Sequence, residues 1–281
     1  MRSSTASLRL HLESALAGRV PSPFRLREAI PPVVVPTGIA ALDEFVGGLP
    51  RGSLTEIYGP PGSGKTSLLH SALATRTCAS EACALVDAQD AFDPGTSQLS
   101  GVFLSKLLWV RSHGLEQAFR CLDVLLQGGG FGFVVLDIAD APVRLVRKVP
   151  LNVWFRLRRT VENTSTILLV LSEESNAKTC ASLVLRVERE AASWSGPPGS
   201  TTAVPHTPGC VLKEAAHAAE VVRSLLKFKR PQPINQLRFA DSPETNVRFS
   251  LYDDPYAAQK LQLESLLPAK PRPKERKQNP G

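Results

Sequence analysis

No stretch of this 281-residue chain is apolar for long enough to span a bilayer, and no long apolar run follows its first methionine. Neither a membrane span nor a signal peptide is therefore expected. Cysteine is sparse and poorly spaced for chemistry. Cys78, Cys83, Cys121, Cys180 and Cys210 include no C-x-x-C pair and no spacing suited to zinc. Their odd number and apolar neighbours point to reduced, buried thiols and a cytoplasmic setting. No internal repeat is found. What is present is an apolar content of 43%, enough for a sizeable core, and an ordinary 21% of charged residues. The formal charge of +7 suggests an acidic partner. Nucleic acid is the usual one, although proteins that never touch it also carry such an excess.

The most informative stretch is Ser53 to Ser67, SLTEIYGPPGSGKTS. Its first half is β-branched and aromatic and reads as a strand, which stops at Gly59. Gly59, Pro60, Pro61, Gly62, Ser63, Gly64, Lys65 and Thr66 then satisfy the phosphate-loop pattern G-x-x-x-x-G-K-[ST]. Leu68, Leu69, Ala72 and Leu73 follow at helical spacing, so the loop lies between a strand and a helix. Glycines let successive N–H groups turn toward phosphate oxygens, and the helix N-terminus adds partial positive charge. Lys65 is expected to reach the β- and γ-phosphates of ATP, with the Thr66 hydroxyl on Mg²⁺ and Ser67 completing the nucleotide-binding turn.

Taken in order, residues 1–35 begin with an apolar stripe, Leu8, Leu12, Ala15 and Leu16, that reads as a short amphipathic helix. A proline-rich linker follows. The stripe could dock on its own domain or on a neighbouring subunit. Residues 36–255 read as one core. Thr37 is positioned to cap a short helix ended by Gly47-Gly48. Strands are expected at Ala82–Asp87, Leu107–Val110, Phe133–Asp137, Thr166–Leu171 and Leu183–Val187, with helices from Leu115 and over Leu151–Val161. Continuous apolar strands alternating with helices imply an α/β fold, a mostly parallel central sheet with helices on both faces. A flexible loop is expected within 191–220, and Val221–Lys229 and Val247–Tyr252 read as a late antiparallel extension. Residues 256–281 form a basic, proline-rich tail expected to be disordered. Its Lys270, Arg272, Lys274, Arg276 and Lys277 are either solvated or an electrostatic grip on DNA or an acidic partner.

A phosphate loop needs a carboxylate to hold the metal's coordination shell, normally at the end of a strand beside the loop strand. Asp137, closing the run Phe133-Val134-Val135-Leu136, is the candidate. Hydrolysis also needs a group that orients or deprotonates water, and Gln89, Asp90 and Asp93 lie beyond the second strand. Arg156, Arg158 and Arg159 read as an interface, an arginine finger or a solvated helix face.

Several motifs together resemble the bacterial RecA ATPase core. They are Val35-Pro36-Thr37-Gly38, Leu42-Asp43, Gly47-Gly48-Leu49-Pro50-Arg51-Gly52, Glu56-Ile57-Tyr58-Gly59-Pro60, and Val86-Asp87-Ala88-Gln89-Asp90-Ala91-Phe92-Asp93-Pro94. The 72-residue step from Lys65 to Asp137 fits as well. The resemblance implies a RecA-like P-loop NTPase fold, ATP and Mg²⁺ as cofactors, and Asp93 beside the nucleotide. The departures are informative. Gln89 stands where the family has its catalytic Glu, and an amide orients water without taking its proton, so hydrolysis is expected to be weak or absent. Thr96 stands near the family's adenine-stacking aromatic. After Thr166–Leu171 the family's long DNA-binding loop is essentially missing, replaced by Ser172-Glu173-Glu174-Ser175-Asn176. The first DNA loop is shortened but retains Arg144, Arg147 and Lys148 as candidate DNA or partner contacts.

A RecA core without its DNA loops resembles the ImuA group, RecA-related accessory proteins of translesion synthesis and SOS mutagenesis. That resemblance implies single-stranded DNA, a Y-family-like polymerase and RecA as partners, with homo-oligomers possible. The alternatives are a DNA-stimulated RecA/RadA-type recombination ATPase and a RecA-like regulatory ATPase acting on proteins.

Overall fold

Short runs of Val, Ile and Leu build the centre of the molecule. The computed structural model describes residues 32–195, 211–225 and 246–250. The amphipathic stripe near the N-terminus and the basic tail lie outside these residues. β1 (Val34–Val35) and β2 (Leu49–Pro50) form a small antiparallel pair. The large sheet contains β3 (Ser53–Tyr58), β4 (Cys83–Asp87), β5 (Leu107–Arg111), β6 (Phe133–Asp137), β7 (Ile167–Ser172), β8 (Leu183–Ser195), β9 (Val211–Ser224) and β10 (Asn246–Ser250). Its order is β10-β9-β8-β3-β7-β6-β4-β5. From β8 to β5 every neighbouring pair is parallel. β9 and β10 extend the sheet antiparallel, as the sequence leads one to expect.

Side chains alternate across a strand, and two separate cores result. Ile57, Leu85, Val135, Leu169 and Leu185 face one cluster, which includes the helices Ala40–Val46 and Lys65–Cys78. Leu54, Val86, Leu136, Val170 and Val184 face the other, with the helices Leu115–Gly128 and Leu151–Val161. Phe119 and Trp154 join those two helices edge to face, their ring centroids 5.4 Å apart. Because both faces are covered, the central strands β4, β6 and β7 are apolar over nearly their whole length.

Three local expectations change. Thr37 does not cap the helix Ala40–Val46, which begins after Ile39 with no side-chain cap. Asp43 reaches back instead, accepting from the Thr37 and Gly38 N–H groups at 2.6 and 3.1 Å. β8 runs on to Ser195 and β9 starts at Val211, so both ends of the expected loop 191–220 belong to strands. Antiparallel pairing supplies the hydrogen bonds that the polar composition of this stretch does not advertise. β7 is inserted between β3 and β6, so the strand ending in Asp137 is one removed from the loop strand.

Candidate functional site

The phosphate loop leaves β3 at Gly59 and enters the helix Lys65–Cys78. Gly59 is required by packing. A Cβ there would lie 2.0 Å from the Val187 carbonyl oxygen of β8. Gly62 and Gly64 take φ of +77° and +89°, the left-handed region that glycine enters without strain. Gly64 heads the helix with no side-chain cap. The first N–H groups of a helix have no intrahelical acceptor, so this end offers donors to an anion. The turn closes through the Ser63 N–H, which donates to the Pro60 carbonyl at 3.2 Å. Pro61, Thr66 and Ser67 are exposed around it.

Lys65 is buried, and its ammonium donates to the carbonyls of Gly59 and Pro60 at 2.5 and 2.9 Å and to Ser63 Oγ at 3.4 Å. Burial pulls its pKa down, and the fields of Asp140, Asp137 and Glu173 pull it back up. The loop lysine thus lies in the field of three carboxylates that follow or close β6 and β7. Asp137 Oδ1 accepts from the Ala139 N–H at 3.0 Å. Its carboxyl is pushed up to about 6, chiefly by burial, with Asp87 and Asp140 adding to the rise and Lys65 opposing it. Asp87 is its direct neighbour in the β4–β6 register.

Gln89 follows β4 and is exposed. Asp87 shapes its turn, accepting from the N–H groups of Gln89 and Phe92 at 3.1 and 2.9 Å. Asp90, at φ +58°, is held by Arg111, whose guanidinium also lies 5.1 Å from the Trp109 ring. Asp93 caps the short helix Pro94–Leu99, accepting from the N–H groups of Gly95 and Thr96 at 3.1 and 3.0 Å. Its carboxylate is held below the usual range, first by the Thr96 hydroxyl.

The segment after β7 is clasped from below. Glu56, fully buried in β3, accepts from Ser175 Oγ at 2.8 Å and from the N–H groups of Asn176 and Ala177 at 2.6 and 3.0 Å. Sequence reasoning took Glu56 as part of a motif and assigned it no task. The only signal is a carboxylate within a strand that is buried along its length. Glu174 pairs with Arg147 through two hydrogen bonds of 2.7 Å, while Arg144 and Lys148 are exposed beside it. Arg156 pairs with Asp123 and Arg158 with Glu162. The tail cations Lys270, Arg272, Lys274, Arg276 and Lys277 lie outside the described residues, as does Cys210. Cys78, Cys83, Cys121 and Cys180 are free thiols. No helix among the described residues is long and apolar enough to cross a membrane.

Residues 27–149 match the RecA N-terminal domain. Protein RecA of Leifsonia xyli subsp. xyli is 33% identical over 162 residues, covering 52% of this chain and 45% of that relative. Protein RecA of Clavibacter michiganensis subsp. michiganensis is 42% identical over 118 residues, covering 41% and 33%. Protein RecA of Streptomyces ambofaciens is 41% identical over 119 residues, covering 42% and 32%. The aligned part thus spans less than half the length of these curated relatives. The chain carries a RecA-like core.

Proposed function

We propose that this RecA-like core binds ATP with Mg²⁺ and serves as an accessory factor in DNA damage tolerance, of the ImuA type, with weak or no hydrolysis. The observation that carries the reading is the pairing of a complete phosphate loop with a segment after β7 that is short and clasped by Glu56. The first feature supports nucleotide binding. The second removes the long loop with which a recombinase of this family would hold a strand.

The residues fit the cofactor. Loop N–H groups and Lys65 would hold the phosphates, and Thr66 and Asp137 would share the metal, which supplies charge neutralisation on the phosphate oxygens. Gln89, an amide at the end of β4, would orient water without accepting its proton. Nucleotide occupancy would then set the shape of the surface offered to partners. Single-stranded DNA and a Y-family-like polymerase are the proposed partners. Arg144, Lys148 and the basic tail supply the charge for DNA.

The test measures binding of a labelled ATP analogue and ATP turnover with and without single-stranded DNA, alongside a pull-down with a Y-family polymerase. Wild type should bind the analogue, Lys65→Ala should not, and turnover should stay near background in both conditions. Equal binding by the two proteins would remove the nucleotide site. Strong DNA-stimulated turnover would instead mean a recombination ATPase.

A further inference from the structure

The β8–β9 strand pair meets the phosphate loop at three places. The Val187 carbonyl of β8 fills the space beside Gly59. Two residues on, on the same face of the strand, the Arg189 guanidinium lies over Gly62, with a nitrogen 3.6 Å from where a Cβ would stand. Across the ladder, Arg189 is paired in register with His217 of β9. His217 is buried, and the Ser63 backbone of the same loop favours its protonated form against the opposing pull of burial.

Arg189 differs in situation from the other arginines near the site. Arg111, Arg147 and Arg156 are each engaged by a carboxylate in two hydrogen bonds. Arg189 is exposed and forms no ion pair among the described residues. The β8–β9 ladder slips between Arg189 and Ala191, directly after it. Bulges occur beside active sites because they re-aim a side chain. A planar cation with open hydrogen-bonding positions, set against a loop that turns its N–H groups toward an anion, matches phosphate oxygens well.

We propose that Arg189 is a phosphate-contacting residue of the nucleotide site, delivered within the same chain from β8 onto the phosphate loop. Its ligand is the polyphosphate of a nucleoside di- or triphosphate. This rests on the nucleotide-binding reading above and adds a cation that the loop pattern does not contain. The β8–β9 hairpin thereby becomes a wall of the site, because a ligand that draws the Arg189 guanidinium inward pulls on the strand pair behind it.

The test is a fluorescence titration of the full chain with a labelled ATP analogue, competed by ADP, magnesium tripolyphosphate and adenosine. Wild type is compared with Lys65→Ala, Arg189→Ala and Arg189→Gln, and each protein is melted without ligand. Arg189→Ala and Arg189→Gln should weaken ATP and tripolyphosphate about tenfold, near 1.4 kcal/mol, and leave the adenosine competition and the melting temperature unchanged. If both bind ATP as wild type does while Lys65→Ala has lost it, Arg189 has no such role and the nucleotide site stands. If adenosine weakens equally, Arg189 acts on the fold and the proposal is overturned. If wild type and Lys65→Ala behave alike, the nucleotide reading fails and takes this proposal with it.

Discussion

Arg147 and Glu174 lock the segment after β6 to the segment after β7, the guanidinium giving two hydrogen bonds of 2.7 Å to one carboxylate. Both groups are exposed, so the pair contributes little to stability, but it sets where a positive charge is spent. Each partner reinforces the other's charge, with Arg147 raised and Glu174 lowered in pKa, first through the side-chain hydrogen bond. Glu174→Ala should release Arg147 and raise affinity for single-stranded DNA several-fold in fluorescence anisotropy at low salt. Arg147→Ala should change it little. The opposite ranking would mean that the ion pair does not mask a binding cation.

Gln89→Glu restores a group able to take a proton at the end of β4, on a turn that Asp87 already fixes. ATP turnover should rise at least tenfold if the amide limits the rate, and steady-state phosphate release measures it. An unchanged rate would move the limitation elsewhere, with Glu173, whose field reaches Lys65, the first place to look.

Asp137→Asn should separate stability from binding. The wild-type carboxyl, raised to about 6, is ionised at neutral pH at some cost to the fold. The amide removes that cost and should add about 1–2 kcal/mol to unfolding stability in urea without ligand. The same variant should lose the Mg²⁺-dependent part of nucleotide binding. A variant less stable than wild type would contradict the burial argument.

Gly59→Ala brings a methyl group onto the Val187 carbonyl. A loss of about 1–3 kcal/mol is expected by denaturation, together with weaker nucleotide binding, because strand and loop shift as one. Gly128→Ala is the control, since nothing lies within 4 Å of its Cβ position.

Burial lowers His217 and His70 below the ordinary value of 6.5. The unfolded chain then takes up protons that the folded chain refuses. Stability from these groups is complete above pH 6.5 and falls as the pH drops through it. The urea midpoint should climb between pH 5 and 7, and His217→Gln should flatten part of that climb.

The phosphate loop and the two strands that flank the chemistry were legible because each carries its own pattern: glycines at fixed offsets, and apolar runs ending in Asp87 and Asp137. The sheet order was not. Nothing in the run Ile167–Ser172 says that it inserts between β3 and β6, since parallel strands buried on both faces read alike. The long β8–β9 ladder was read short, because Ala191–Ser195 looks like loop when its partner strand is out of view. Thr37 does not cap its helix, because Asp43 folds back to accept from the Thr37 and Gly38 N–H groups and fixes the entry turn, a local arrangement that spacing alone does not reveal. Arg189 carried no signal at all, being one charged residue among several in RVERE until β8 is laid against the loop.

Glu56 has a mechanical consequence. With three donors converging on one interior carboxylate, the residues from Ser175 to Ala177 are bolted to the very strand that launches the phosphate loop. Such a fastening leaves no slack for reaching outward. Any displacement of that corner must be transmitted as a tug on the floor of the loop, so the two ends of β3 and β7 behave as a single rigid lever.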